Sequence, residues 1–321
     1  MYAIETRALT KAYGGRRVVD NLNLHVRTGD IYGFVGKNGA SKSTVMKMID
    51  SLVTPDSGDI LLFDSPIEAL PKETGAQTSV GGSSLRSARR VGALIENPGL
   101  LPELSAFDNL MAKALAVGIP DAKPRCQEVL RLVGLEAAGK KRSQRFSQGM
   151  KQRLGIGLAL LGSPDLLLLD EPFNGLDPEG TRALRTLILR LNQSFGVTVM
   201  ISSHVLDQLD RMATRYGVIA NGRLVREMTA EDVQAECGES LRILTSEPAR
   251  TLAQLEARFP EVRFLMEPDG ALRLSGAFDA PAVADALHGF DETILEFAEN
   301  RCDIEDYFVN LMEGGSYVRS A

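Results

Sequence analysis

The chain has no tryptophan, 6% aromatic residues and three cysteines in 321 residues. Cys126, Cys237 and Cys302 lie far apart, with neither a Cys-x-x-Cys pair nor metal-ligand spacing. That excludes a disulfide framework and a zinc module, and predicts buried or idle thiols in a reducing compartment. Long apolar runs are missing too. The most apolar stretch, Leu154–Leu169, is interrupted by Ser163, Pro164 and Asp165, short of the ~20 apolar residues that a membrane span needs. Met1–Thr10 has no basic start followed by an apolar core, so no signal peptide is expected. If the protein works at a membrane, another chain has to cross it.

Lysine is absent after residue 223, where the charge balance changes sign. The segment 224–321 holds 20 acidic and 8 basic residues, while the first 223 residues hold 22 acidic and 28 basic. A shift of that size at one point marks a domain boundary. The rest of the composition, 44% hydrophobic and 24% charged, is that of a globular protein with a full core. At this length one large domain plus a smaller one is expected.

Periodicity predicts the elements. Ala3–Leu62 reads as short strands with one helix: Ile31–Val35 is a compact apolar strand, a glycine-rich turn follows, and Ser43–Leu52 has helical spacing. Asp64–Arg90 reads as a loop-rich insertion with a mobile centre at Gly75–Ser84. Helical patterns fill Asn97–Gly162, including Gln127–Val133 and Lys151–Leu161. Leu166–Leu169 and Val197–Ile201 read as strands buried on both faces, with Thr181–Gln193 a helix between them. Val218–Ile219 and Arg223–Leu224 suggest a closing hairpin around Asn221–Gly222. Beyond Gly238 the order is strand, helix, hairpin around Asp269–Gly270, helix, strand, then a last helix at Ile304–Met312. That βαββαβ order predicts a ferredoxin-like module.

Strand, glycine loop and helix in succession form the phosphate-binding unit. The loop runs Gly36-Lys37-Asn38-Gly39-Ala40-Ser41-Lys42-Ser43-Thr44, against the pattern G-x-x-x-x-G-K-[ST]. Backbone N–H groups and the helix N-terminus suit phosphate oxygens, Lys42 suits the β- and γ-phosphates, and Ser43 suits Mg²⁺. Ser41 stands where the second glycine belongs. Either the loop accepts its hydroxymethyl group, or a Cβ intrudes where backbone must approach phosphate or where φ is positive. A left-handed serine costs about 1–2 kcal/mol in backbone strain, and this second reading predicts weaker ATP binding than in a Ser41→Gly variant.

Downstream, Leu166–Leu169 ends in Asp170-Glu171. This places one carboxylate near Mg²⁺ and a second where it can orient or deprotonate a water. Phe146-Ser147-Gln148-Gly149-Met150-Lys151-Gln152-Arg153 opens a helix with Ser147 as N-cap. This segment, Ser-x-Gly-x-x-Gln-Arg about twenty residues before the Asp-Glu strand, resembles the ABC signature motif in divergent form. Phe146, Gln148 and Met150 depart from the common Leu-Ser-Gly-Gly-Gln. The resemblance covers most of Met1–Gly222, with its motifs in family order. Tyr13 matches the adenine-stacking aromatic, Asn174-Gly175-Leu176-Asp177 the D-loop, and His204 the switch histidine, 34 residues past Asp170. Glu96 takes the place of the Q-loop glutamine, where its carboxylate would approach Mg²⁺ or the attacking water. The segment Gly92–Gly99 and the stretch after it are similar to subunits that export or protect against bacitracin- and lantibiotic-type peptides, and multidrug exporters share much of that framework, so the implied cargo is peptide antibiotics or drugs.

The resemblance implies a P-loop NTPase cassette of α/β class with antiparallel-β and helical subdomains (the latter about 97–165) over residues 1–223. A ferredoxin-like α+β module at 239–314 would follow, regulatory or dimer-stabilising. It further implies an ATPase using ATP and Mg²⁺, with Glu171, His204 and Glu96 catalytic and Ser43, Asp170 and Glu96 at the metal. Nucleotide contacts would come from Tyr13, residues 36–44, Ser147, Gly149 and Asp177, within cassettes paired head to tail as a homodimer or with another ATPase subunit. Such a subunit serves an integral-membrane permease from the cytoplasmic face and binds no nucleic acid. A nucleotide-impaired regulatory subunit and a soluble non-transport ABC protein are the alternatives.

Overall fold

The computed structural model describes residues 1–67, 91–237, 240–276, 278–290, 292–300 and 304–313. Most of the expected insertion, with its centre Gly75–Ser84, lies outside the described residues. The described chain divides into two compact units, Met1–Glu227 and Met228–Ala321.

In the first unit an antiparallel sheet is built from β1 (Tyr2–Tyr13), β2 (Arg16–Leu22) and β3 (His25–Arg27). The chain then enters β4 (Ile31–Val35) and α1 (Lys42–Ile49), and returns to the first sheet as β5 (Ser57–Leu62) and β6 (Ser65–Pro66). The start of the segment read as an insertion is therefore a β5–β6 hairpin, turning through Phe63 and Asp64, both at positive φ. Helix α1 is shorter than the sequence suggested, because Ser51 takes a left-handed φ of 60° and stops it.

The second sheet has the order β11-β10-β4-β9-β8-β7. Its strands are β4, β7 (Val91–Leu94), β8 (Leu166–Asp170), β9 (Thr198–Ser203), β10 (Arg215–Ala220) and β11 (Arg223–Thr229). The pairs β10–β4, β4–β9, β9–β8 and β8–β7 are parallel. Every residue of β4, β8 and β9 is buried, which is why these strands read as unbroken apolar runs instead of alternating ones. Strand β7 was not anticipated: its four residues include Gly92, where an added Cβ would lie 2.4 Å from Ala159 O. Between β10 and β11, Asn221 and Gly222 both adopt positive φ (50° and 76°), as a two-residue type I′ turn requires.

Among the described residues, four further α-helices complete this unit: α2 (Ala106–Ala116), α3 (Ala122–Leu132), α4 (Gln148–Leu160) and α5 (Pro178–Phe195). Ser105 caps α2 by accepting from Asp108 N, and Asp177 caps α5 by accepting from Gly180 N. The core joins the faces of both sheets around Phe34, Val45, Met46, Leu166, Leu168 and Met200.

The boundary between units falls inside β11, a few residues past the point where the charge balance changes. The second unit begins with α6 (Ala230–Cys237), a helix the periodicity did not reveal. Its start was nonetheless written in the chain as Thr229-Ala-Glu-Asp232. Asp232 N donates to Thr229 Oγ1 at 3.0 Å and Thr229 N donates back to Asp232 at 2.8 Å, a reciprocal capping box. Next come β12 (Ser240–Thr245), α7 (Pro248–Arg258), β13 (Arg263–Met266), β14 (Leu272–Ser275), α8 (Ala280–His288), β15 (Ile294–Asn300) and α9 (Ile304–Met312). The sheet is antiparallel in the order β13-β14-β12-β15, the ferredoxin-like arrangement. Leu241, Ile243, Leu272 and Leu274 form its core with Leu255, Val283 and Leu287 from the helices. On the opposite face, Arg242 pairs with Glu267 at 3.0 Å and also with Asp269 and Glu296.

Candidate functional site

Three neighbouring parallel strands, β4, β9 and β8, end at one level of the sheet, with Val35 opposite Ser203 and Asp170 opposite Ser202. The residues that leave these strands are Gly36, His204 and Asp170-Glu171, so register alone brings the phosphate loop and both downstream motifs together. This is the carboxyl end of a parallel sheet, where ligands bind in open α/β folds.

After Gly36 the loop exposes Lys37, Asn38 and Gly39, buries Ala40, and enters α1 at the buried Lys42. Gly36 admits no side chain: a Cβ there would lie 2.7 Å from both Ile219 O and Ile219 Cγ2. Gly39 has φ +82°. Ser41 has φ 80° and ψ 21°, left-handed backbone in a residue with a Cβ. Its side chain makes no cap hydrogen bond to α1, and the first turn of that helix carries no acidic residue. By contrast, Ser147 caps α4 and Asp177 caps α5. The leading N–H groups of α1, whose own helix cannot satisfy them, are thus left for an anion. The cradle fits a phosphate group.

Lys42 Nζ donates to Gly36 O at 2.7 Å and lies 3.1 Å from Glu171 Oε1. The other oxygen of Glu171 is 2.9 Å from His204 Nδ1. Lys42, Glu171 and His204 therefore form one connected polar chain. The neighbouring Asp170 is buried and accepts from Ser202 Oγ at 2.5 Å. Ser202 Oγ in turn accepts from Glu171 N at 2.9 Å, so one hydroxyl ties the Asp170 carboxylate to the backbone of Glu171. Ser202 belongs to none of the motifs that the sequence marks. Its signal was its place in the Ile-Ser-Ser-His run, two residues before the histidine. Glu171 itself sits at φ 47°, a strained conformation of the kind that collects at working sites.

Glu96 follows β7, also at positive φ (63°). It pairs with Lys47 of α1 at 2.5 Å and lines a cavity of about 260 Å³ with Asn97, Gln148, Gln152, Asp170 and Glu171. The signature and D-loop residues form a second cluster. Ser147 Oγ accepts from Met150 N at 3.3 Å. Built Cβ atoms at Gly149 and Gly175 would each lie 3.7 Å from side chains of the other segment, Leu176 and Gln148. Tyr13 stands apart from both clusters in its contacts. It ends β1, half exposed, with Lys11 Nζ 5.5 Å from its ring centre. Ser43 and Thr44 are half-buried in the first turn of α1.

The ABC transporter family model matches residues 19–174. The chain is 38% identical to the uncharacterised ABC transporter ATP-binding protein YcbN of Bacillus subtilis, over 98% of both chains. It is 36% identical to the bacitracin transport ATP-binding protein BcrA of Bacillus licheniformis, again over 98% of both. The lantibiotic transport ATP-binding protein SrtF of Streptococcus pyogenes is 38% identical over 70% of this chain and 90% of its own. Among solved structures, cbiO1 of Clostridium perfringens superposes with a TM-score of 0.65 at 23% identity, covering 81% of this chain and 96% of that one. The cassette MJ0796, dimeric with ADP and Pi, gives 0.62 at 23% identity over 71% and 98%. Motif order, the geometry at the strand ends and full-length relatedness agree: the chain belongs to the ABC transporter family, as an ATP-binding ATPase subunit.

Proposed function

We propose that this subunit hydrolyses Mg·ATP to drive export of peptide antibiotics through a separate membrane permease, working as a head-to-tail pair of cassettes. The observation that carries the catalytic part is Glu171, held by Lys42 on one oxygen and by His204 on the other beside the buried Asp170. The cargo reading is supported by the printed activities of the relatives, bacitracin and lantibiotic transport. No helix among the described residues is long and apolar enough to cross a membrane, which leaves the crossing to a partner.

Mg²⁺, held by Ser43 and Asp170 with Glu96 nearby, would supply charge neutralisation on the phosphates. Residues 36–44 wrap the phosphates and Lys42 places a cation on them. Glu171 orients water and takes its proton at a carboxylate oxygen, while His204, hydrogen-bonded to that carboxylate, fixes its direction. Tyr13 offers a half-exposed ring face to adenine. Ser147 and Gly149, at the N-terminus of α4, and Asp177, at that of α5, serve the nucleotide of the paired cassette. The groove after Glu96, about 480 Å³ and lined by Leu94, Pro98, Leu101 and Lys113, is the surface offered to the permease. Residues 1–223 form the ATP-binding domain and 239–314 the accessory module, at the cytoplasmic face of the membrane.

The test uses the purified chain and its Glu171→Gln variant. ATP turnover is expected to fall at least ~100-fold in the variant, in the range for loss of a general base, while nucleotide still binds. Unchanged turnover would overturn the assignment of Glu171. For the cargo, co-expression with the membrane permease that co-purifies with this subunit should raise resistance to bacitracin or a lantibiotic. A Glu171→Gln subunit that protects equally well would refute ATP-driven export.

A further inference from the structure

A glutamate at position 96 adds a negative charge where an amide would be neutral. The cavity it lines already holds the carboxyl groups of Asp170 and Glu171, and the ligand expected beside it is itself a polyanion. Lys42 is already engaged by Glu171 and by the Gly36 carbonyl. The cation on Glu96 is Lys47, whose Nζ lies 2.5 Å from Glu96 Oε1 across 49 residues of chain. Lys47 stands five residues after Lys42 on α1, so the helix that begins at the phosphate loop also carries the charge that meets Glu96. Glu96 further adopts φ 63°, a left-handed conformation that in a non-glycine residue only fixed surroundings maintain.

We propose that Lys47 is a positioning residue for the nucleotide site: it holds the Glu96 carboxylate and offsets its charge, so that Mg·ATP binds beside three acidic groups. The inference rests on the reading of Glu96 as a neighbour of Mg·ATP. Both side chains are partly exposed, at 29% and 61%. Their coupling therefore belongs to the weak, salt-sensitive class of ion pairs.

The test is a double-mutant cycle on the purified chain, titrated with a fluorescent ATP analogue and Mg²⁺. Lys47→Met is expected to weaken binding about threefold in the parent, and by less than about 1.5-fold in a Glu96→Gln background, as coupling of this class predicts. Lys47→Arg should restore parental affinity. The threefold effect should shrink towards one as NaCl rises from ~50 mM to ~0.5 M. An equal loss in both backgrounds means that Lys47 acts on the nucleotide or the fold directly, and overturns the inference alone. A parent chain that binds no nucleotide overturns the nucleotide-site reading, and this inference with it.

Discussion

Replacing Ser41 by glycine separates a folding cost from a binding cost. Ser41 stands at φ 80°, ψ 21°, where a residue with a Cβ carries about 1–2 kcal/mol of strain. Glycine removes that strain but brings about 0.5–1 kcal/mol of extra freedom to the unfolded chain. The net gain expected is about 0.5–1 kcal/mol. In a unit of 227 residues this raises the thermal midpoint by about 1–4 °C, at 2–4 °C per kcal/mol. The left-handed turn is imposed by the route from β4 into α1, so the strain is present with and without nucleotide and cancels from the affinity. What remains for binding is the hydroxymethyl group itself. Differential scanning fluorimetry of Ser41→Gly should show the stabilisation, and fluorescent-nucleotide titration with Mg²⁺ a dissociation constant within about threefold of the parent. A midpoint that falls would refute the strain argument. An affinity gain beyond tenfold, 1.4 kcal/mol, would show that the Cβ intrudes on the phosphates and would restore the impaired-subunit reading.

Gly36→Ala should destabilise the first unit by about 1–3 kcal/mol as an overpacking change, because the new Cβ meets Ile219 backbone and side chain at 2.7 Å. An unaltered thermal midpoint would contradict the packing at the start of the loop. Asp50, at the end of α1 on the groove wall, has its carboxyl pushed up to about 6 from 3.8 by burial, against the opposing charge of Lys113. Its folded pKa is raised, so its stabilising contribution is full below pH 3.8 and is lost as pH rises through about 6. Asp50→Asn should therefore gain thermal stability over the parent progressively between those values and hold a constant lead above them. A lead that does not change with pH would show that Asp50 titrates like an exposed carboxylate.

Local chemistry carried much of the fold. Ile31–Val35, Leu166–Leu169 and Val197–Ile201 read as strands because a strand covered on both faces is apolar throughout. Asn221-Gly222 gave a hairpin because few other pairs accept two positive φ values in succession. Elements whose signals are not periodic were missed. Strand β7 is four residues long with a glycine inside it, and α6 shows itself by its cap more than by an apolar stripe. The end of α1 was misplaced because a left-handed Ser51 has no sequence mark.

The sequence by itself determined the family, the order of its motifs, the odd serine at 41 and the glutamate at 96, since each of these is a matter of residue type and spacing. Only the tertiary structure decided that Glu171 lies between Lys42 and His204, that Ser202 joins the Asp170 carboxylate to the Glu171 backbone, and that Lys47 answers the charge of Glu96. These contacts join residues 31–129 positions apart, except the neighbouring Asp170–Glu171 pair itself, and the register of parallel strands brings most of them together. Spacing along the chain does not encode that register, because it is set by the packing of whole strands and helices into one core.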